Sequence, residues 1–369
     1  MRFSGQEDFN HRRQDKIGVL VTNLGTPEAA TGKALKKYLK QFLSDPRVVE
    51  IPRLLWWLIL NGIILNIRPK RSAKLYQTVW TERGSPLLFH TQDQANAISR
   101  QLASQNSLAE KDNVIVRFAM RYGQPSIESV MEEMQREGAN KIVVLPLYPQ
   151  YSGATTGSTF DAIAHLFTKT RWVPHFRFIG SYHDDDNYIN ACVEKIKAHW
   201  QRNGRSEKLL LSYHGVPKSY LEAGDPYHCH CHKTSRLIAE KLELNKDQCI
   251  TTFQSRFGKA EWLRPYTDAT LKQLASDGTK SIDVFCPGFS ADCLETIEEI
   301  AEENREYFME NGGESYHYIS ALNSEPLHID TLIKIIQRNI QDWLLETPMD
   351  TEHRYALSHS PDLTYKPKI

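Results

Sequence analysis

Short apolar runs rich in β-branched residues alternate with helical patterns along the whole chain, and this alternation limits the fold more than any other feature. The runs fall at 17–22 (IGVLVT), 114–119 (VIVRFA), 142–147 (IVVLPL), 175–179 (HFRFI), 208–213 (KLLLSY), 249–253 (CITTF), 281–286 (SIDVFC) and 315–320 (SYHYIS). Helical spacing recurs between them, near 31–43, 92–105, 125–138, 186–202, 233–243, 266–276, 293–310 and 327–345. Strands that are apolar throughout lose both faces to the interior. Strands that alternate with helices form parallel sheets covered on both sides. The class expected is α/β.

The strands read as one set of four used twice. The first strand of each half runs into a small turn, Leu24-Gly25-Thr26-Pro27 and His214-Gly215-Val216-Pro217. The next pair ends in Arg121-Tyr122-Gly123 and Arg256-Phe257-Gly258, and the third in Pro149-Gln150-Tyr151-Ser152 and Pro287-Gly288-Phe289-Ser290. Ordered matches at strand carboxyl ends predict a duplicated, doubly wound unit, with ligand held outside those ends in a cleft between the halves.

The halves differ in one respect. Gly25 and Gly123 are 98 residues apart, Gly215 and Gly258 only 43. The surplus contains 54–67 (LLWWLILNGIILNI), the most apolar run in the chain. At 14 residues, interrupted by Asn61, Gly62 and Asn66, it is too short to span a bilayer, which takes about 20. Arg53 before it and Arg68, Lys70 and Arg71 after it suit a helix lying in a bilayer interface. A buried core helix is the alternative. An insertion the sheet does not need favours a surface lip.

Lys and Arg total 45, as do Asp and Glu, and no basic tract stands out, which argues against a nucleic-acid partner. Six irregularly spaced cysteines in 369 residues do not make a disulfide framework. The opening MRFSGQEDFNHRRQDK has no apolar core of a signal peptide, so a cytoplasmic location is expected.

Among groups that do chemistry, His214 stands first, because it ends an apolar strand just before a Gly-Val-Pro turn. A neutral imidazole there accepts a proton near pH 7 or ligates a divalent transition metal. A histidine bonded to backbone at a strand end is the plainer reading. In 287–303 (PGFSADCLETIEEIAEE), Ser290 or Asp292 is placed to cap a helix, and Glu295, Glu298, Glu299, Glu302 and Glu303 follow at helical spacings. Such a stripe is usually a solvated face. Like charges stacked on one face also suit a track for a hydrated cation, and π geometry would align Glu295, Glu299 and Glu303 better.

The loop 149–159 (PQYSGATTGST) is suited to an anion at a helix N-terminus, although it lacks the ending of a nucleotide-binding P-loop. In His228-Cys229-His230-Cys231-His232 the spacing is wrong for a zinc ribbon, and an extended strand would send its cysteines and histidines to opposite faces. Cys192, Cys229, Cys231 and Cys249 remain an unfavoured thiolate set for an iron–sulfur cluster.

Eight blocks together resemble ferrochelatase: LVTNLGTPE (20–28), RGSPL (83–87), MRYGQPS (120–126), LPLYPQYSGATTGST (145–159), LSYHGVP (211–217), GDPY (224–227), FQSRFGKAEWLRP (253–265) and PGFSADCLETIEE (287–299). The resemblance covers roughly 16–345. It implies the chelatase fold, two similar Rossmann-like doubly wound halves, and insertion of Fe2+ into protoporphyrin IX at the end of haem synthesis. It places the family's histidine on His214, the facing acid on Glu295 and further acids on Glu299 and Glu303. Porphyrin contacts fall on Leu24, Arg121, Tyr122, Trp262 and Phe289, with Ser85 matching well in the lip and Tyr76 and Arg71 more loosely. The lip, about 51–90, touches membrane in several members. The chain divides accordingly into a polar tail (1–15), a first half with the lip (16–178), a second half (179–326), a helix packed back on the body (327–345) and a second polar tail (346–369).

Two departures matter. Many members carry a histidine two positions before the acid, where this chain has Cys293. Members with an iron–sulfur cluster use three cysteines beyond the last helix, and none follows Cys293 here, so no cluster of that form is expected. The substrates implied are protoporphyrin IX and Fe2+, with no other cofactor. Rival readings are a same-fold chelatase for another tetrapyrrole or metal, a non-enzymatic haem or metal carrier, and a zinc or redox module at 228–232.

Overall fold

The computed structural model describes residues 3–5, 15–104, 113–256, 258 and 260–345. The tail 346–369 lies outside them, as do Phe257 and most of the tail 1–15.

Each expected strand is present: β1 Lys16–Gly25, β2 Val114–Tyr122, β3 Ala139–Pro146, β4 His175–Phe178, β5 Lys208–His214, β6 Cys249–Gln254, β7 Ser281–Phe285 and β8 Ser315–Ile319. They form two all-parallel sheets, ordered β2-β1-β3-β4 and β6-β5-β7-β8. The two orders are the same, so the duplication read from the turn motifs is a duplication of topology.

Alternation along the central strands explains how both faces are covered. In β1, Val19 and Val21 join a core that also holds Leu209, Leu211 and Tyr213 of β5, so the two halves share one interior. Leu20, between them, points to the other face, against the helices Ile127–Arg136 and Ser158–Phe167. Leu210 does the same in β5, beneath the helices Thr267–Ser276 and Asn304–Glu310. The last helix, Pro326–Leu345, packs on Pro86–Ser104, Asp186–Asn203 and β3, which ties the end of the described chain to both halves.

The turn after β1 needs glycine. Gly25 has φ +109°, and a Cβ there would stand 1.8 Å from the Tyr122 carbonyl oxygen. Only a residue without a side chain lets the ends of β1 and β2 approach so closely.

The apolar insertion is one long helix in three pieces, Arg53–Ile59, a π segment Leu60–Ile64, and Leu65–Val79. Its buried stripe runs Trp56, Leu60, Leu65, Pro69, Ala73, Tyr76. The steps are three or four residues, as on an α-helix, except across the π segment, where the step is five. The extra residue keeps the stripe on one face over a length at which an unbroken α-helix would drift. Asn66 Nδ2 donates to the carbonyls of Asn61 and Gly62 at 3.1 and 3.0 Å, serving acceptors in the widened turn. The stripe packs on Leu35, Tyr38, Leu39 and Leu43 of the helix Gly32–Leu43. The opposite face is left open, with Leu54 78%, Trp57 60%, Leu58 55%, Ile63 56% and Ile67 67% exposed. The insertion is therefore a core helix on one face and an apolar lip on the other.

Three local expectations are corrected. Residues 228–232 lie in the helix Tyr227–Lys241, not in a strand. There Cys231 is buried and Cys229 exposed, because residues two apart on a helix diverge. The loop 149–159 does not offer its helix N-terminus to an external anion. Asp225 Oδ2 occupies that position, accepting from Gly153 N at 2.7 Å and Ser152 Oγ at 3.2 Å. Neither Ser290 nor Asp292 caps the acidic helix, which begins without a side-chain cap. Asp292 instead accepts from Tyr318 Oη at 2.6 Å and Asn323 Nδ2 at 2.7 Å.

Candidate active site

The cleft residues gather at the carboxyl ends of β5, β6 and β7. His214 is the last residue of β5, half-buried, and its Nδ1 lies 2.6 Å from the Gly215 carbonyl oxygen. A carbonyl only accepts, so Nδ1 is the donor here, and in the neutral ring this tautomer leaves the lone pair on Nε2. Tyr227 Oη donates to the His214 carbonyl at 2.9 Å and fixes the backbone that presents the ring. Gly215 allows Gln254 to close in. Its N–H donates to the Gln254 carbonyl at 2.8 Å, and a Cβ would stand 2.8 Å from that oxygen and 3.2 Å from the Trp262 ring. Trp262 stands beside His214, with ring centroids 6.4 Å apart.

Gln254 joins this strand end to the acid. It pairs with His214 in the β5–β6 ladder, takes a hydrogen bond from Ser212 Oγ on Oε1 at 2.8 Å, and donates through Nε2 to the Glu295 carbonyl at 3.1 Å. The Ser212 bond sets which way the amide points. Ser255, one residue on, holds Glu299. Its N–H lies 2.7 Å from Glu299 Oε1 and its hydroxyl donates to Oε2. To aim both donors the same way Ser255 adopts φ +64°, a left-handed conformation that a non-glycine residue takes at a cost of about 1–3 kcal/mol.

Glu295–Glu303 is a π-helix, a geometry that aligns Glu295, Glu299 and Glu303 better than an α-helix would. Its widened turns have identifiable supports. Asn304 N–H bonds the Glu299 carbonyl five residues back, and Asn304 Nδ2 reaches the same oxygen at 2.6 Å. Tyr316 Oη donates to the Ile300 carbonyl at 2.6 Å. Burial pushes Glu299 up to about 7, against its two bonds from Ser255 and with the Glu295 and Glu303 carboxylates adding to the rise. Glu303 and Glu302 are exposed, so the stripe runs from a half-buried Glu295 to solvent. Cys293 is buried. Burial first, then the neighbouring Glu295 carboxylate, hold it as a thiol.

The raised pKa of Glu299 predicts a pH signature. Its folded-state value lies above its ordinary 4.5, so the folded state binds the proton more tightly. Stability from this source is complete below about pH 4.5 and declines as pH rises through about 7, by on the order of 3 kcal/mol. Replacing Glu299 with Gln should flatten the fall of Tm between pH 5 and 8, as measured by differential scanning fluorimetry.

The lip closes over the same acid. Leu24 and Leu294 pack against the cluster that contains Tyr38, Tyr76 and Tyr122. Burial, then Glu295, raise the Tyr76 phenol, and Glu295 also acts on Tyr38 and on the half-buried Arg68. Arg68, which the family match passed over, is half-buried, whereas Arg71 is exposed. Ser85 is buried, accepting a 2.8 Å hydrogen bond from Thr26 of the first turn motif.

Arg121 and Tyr122 form a different group. Arg121 Nη2 lies 2.6 Å from Asp45 Oδ2, which also accepts from Tyr122 Oη at 2.8 Å and Ser158 Oγ at 2.6 Å. Although burial works to raise it, the bonds from Ser158 and Tyr122 and the Arg121 charge hold Asp45 below its ordinary value. Tyr122 has no exposed surface and packs edge-on against Phe42, with centroids 5.1 Å apart, so its ring is part of the core and offers no surface for the porphyrin contact expected there. Phe289 is half-buried and packs on the outer core of the second half. The structure thus links the strand end that carries His214 to the start of the acidic helix through Gln254, with Trp262 beside the imidazole, and packs Leu24 and Tyr76 in one cluster with Leu294 at that helix start.

Two parallel sheets of one strand order, with an imidazole and a row of acids at their carboxyl ends, define an α/β protein of the chelatase fold. SirB from Bacillus subtilis, solved with Fe3+, matches at a TM-score of 0.51 and 12% identity, covering 91% of this chain and all of its own. The ferrochelatase family model matches residues 16–340. Ferrochelatase from Idiomarina loihiensis is 63% identical over 96% of this chain and 97% of its own length. The Marinobacter nauticus enzyme is 59% identical over 97% and 96%. The chain belongs to the ferrochelatase family, enzymes that insert iron into a porphyrin.

Proposed function

We propose that this chain inserts Fe2+ into protoporphyrin IX to give protohaem, with release of two protons, in the cleft between His214 and the acidic helix. One observation supports the placement: the Gln254 side chain ties the strand pair that ends in His214 to the backbone carbonyl of Glu295, which favours a shared site for imidazole and acid.

A planar porphyrin hides its nitrogen lone pairs, so a site that favours a saddled ring is complementary to the transition state. Trp262 on one side and Leu24 with the lip on the other form apolar walls that press the ring. The lone pair on His214 Nε2 receives the iron as it sheds water. Glu295, on the opposite face, accepts the pyrrole protons and passes them to Glu299 and Glu303. Both Glu299 oxygens are already engaged by Ser255, which leaves little of that group for a hydrated cation and suits it to hold a proton near neutral pH. The step uses no group beyond the substrate ion and these side chains.

The lip's exposed apolar face, flanked by Arg53, Lys70 and Arg71, rests on the cytoplasmic surface of a membrane and takes up porphyrin there. Among the described residues no helix is long and apolar enough to cross one.

The test is anaerobic Fe2+ insertion followed by absorbance with two porphyrins. Protoporphyrin should be metallated at least about tenfold faster than coproporphyrin, whose two extra carboxylates must lose water against the apolar walls. Equal rates would favour a chelatase for another tetrapyrrole.

A further inference from the structure

We propose that His199, Asp283 and His317 form a binding site for a divalent transition-metal ion on the flank of the second sheet, built from residues the cleft does not use. Asp283 stands in the middle of β7 with its side chain only 1% exposed, an expensive place for a carboxylate unless its oxygens are occupied. Oδ2 accepts from Trp200 Nε1 at 2.7 Å and Ser206 N at 3.2 Å, and Oδ1 accepts from Ser206 Oγ at 2.9 Å. These bonds fix the carboxylate and turn Oδ1 towards two imidazoles.

His317 Nδ1, from β8, lies 3.2 Å from Oδ1, and His199 Nε2, near the end of the helix Asp186–Asn203, lies 3.5 Å from it. All three ligand atoms are within 4.8 Å of one another. Ligand atoms on a tetrahedral ion with bonds of 2.0–2.1 Å stand about 3.3 Å apart, so the two separations to Asp283 already suit a shared ion. His199 Nε2 is moreover a buried atom with no hydrogen-bond partner, directed at this point.

The far nitrogens are also held, as those of ligating histidines are. Asn203 lies 3.1 Å from His199 Nδ1, and a carboxamide serves either tautomer by turning over. Ser315 Oγ lies 3.4 Å from His317 Nε2. His317 is 36% exposed and opens the site to solvent, leaving a fourth position for water. Two nitrogens and one oxygen suit Zn2+, Co2+ or Ni2+ over Mg2+ or Ca2+. The bound ion would tie the end of the helix Asp186–Asn203 to β7 and β8.

The test uses the full chain and Co2+, whose ligand-field absorption reports its donors. In a His214→Ala, Glu295→Gln background, which removes the cleft pair, one Co2+ per chain should still bind and raise Tm. Adding His317→Ala should weaken that binding about 100-fold and abolish the Tm rise, with His199→Ala doing the same. His317 is chosen first because Asp283 variants risk the fold. In the otherwise unaltered chain, His317→Ala should leave iron insertion unchanged. Absence of one-to-one binding in the cleft-deficient background would overturn the proposal. So would binding that survives His317→Ala and falls only with His228→Ala, which would put the ion on the helix Tyr227–Lys241.

Discussion

Replacing His214 with Ala should lower anaerobic iron insertion by about 10³-fold while Tm stays within about a degree. The two readouts separate because of what the ring touches. Its Nδ1 bonds only the adjacent Gly215 carbonyl, and the strand end is held through the backbone, by Tyr227 on the His214 carbonyl and by pairing with Gln254. Removing the imidazole therefore takes away the Nε2 lone pair and little else. Porphyrin binding, followed by fluorescence, should persist, because the apolar walls remain. Turnover near the unaltered rate would remove His214 from the centre of the reaction.

The second large effect lies at the lip. Replacing Leu54, Trp57 and Leu58 together with Ser should reduce sedimentation with anionic vesicles by about 100-fold, taking roughly 1 kcal/mol for each partly inserted side chain. These positions are 78%, 60% and 55% exposed, so the fold loses little. Trp56 is a poor choice although it adjoins them. It is 6% exposed and its indole N–H donates to the Leu43 carbonyl at 2.6 Å, so its loss would disturb the packing of the lip itself. Unchanged vesicle binding by the triple variant would show that the lip is not an anchor.

Much of this architecture was legible in the residues. The strands stood out because a strand buried on both faces must be apolar throughout, as VLV at 19–21 and LLL at 209–211 are. The duplication was legible because Gly25 and Gly215 serve backbone approaches that no other residue allows. His214 and Glu295 were identified by motif, and the structure links their strand and helix through Gln254, a polar residue at the end of an apolar strand whose placement only the fold explains. The hydroxyl-rich loop was misread as an anion site because its partner, Asp225, lies 72 residues away from Gly153 and nothing local announces the pairing. The same limit hid Asp45, whose bond to Ser158 spans 113 residues. The helix at 228–232 was missed because five alternating Cys and His residues mimic a two-residue period.

The Asp225 contact has a consequence for how so large a substrate gets in. That carboxylate belongs to the second half and caps a helix of the first. Gln94 of the first half donates to Ser290 of the second at 2.8 Å, and Tyr220 Oη bonds the carbonyls of Arg47 and Val48, both at 3.1 Å. Stitched at these points over a common interior, the lobes are not free to swing like a clamshell. Without a hinge between the lobes, the long hydrophobic flap is the element left to yield when the flat macrocycle enters and leaves.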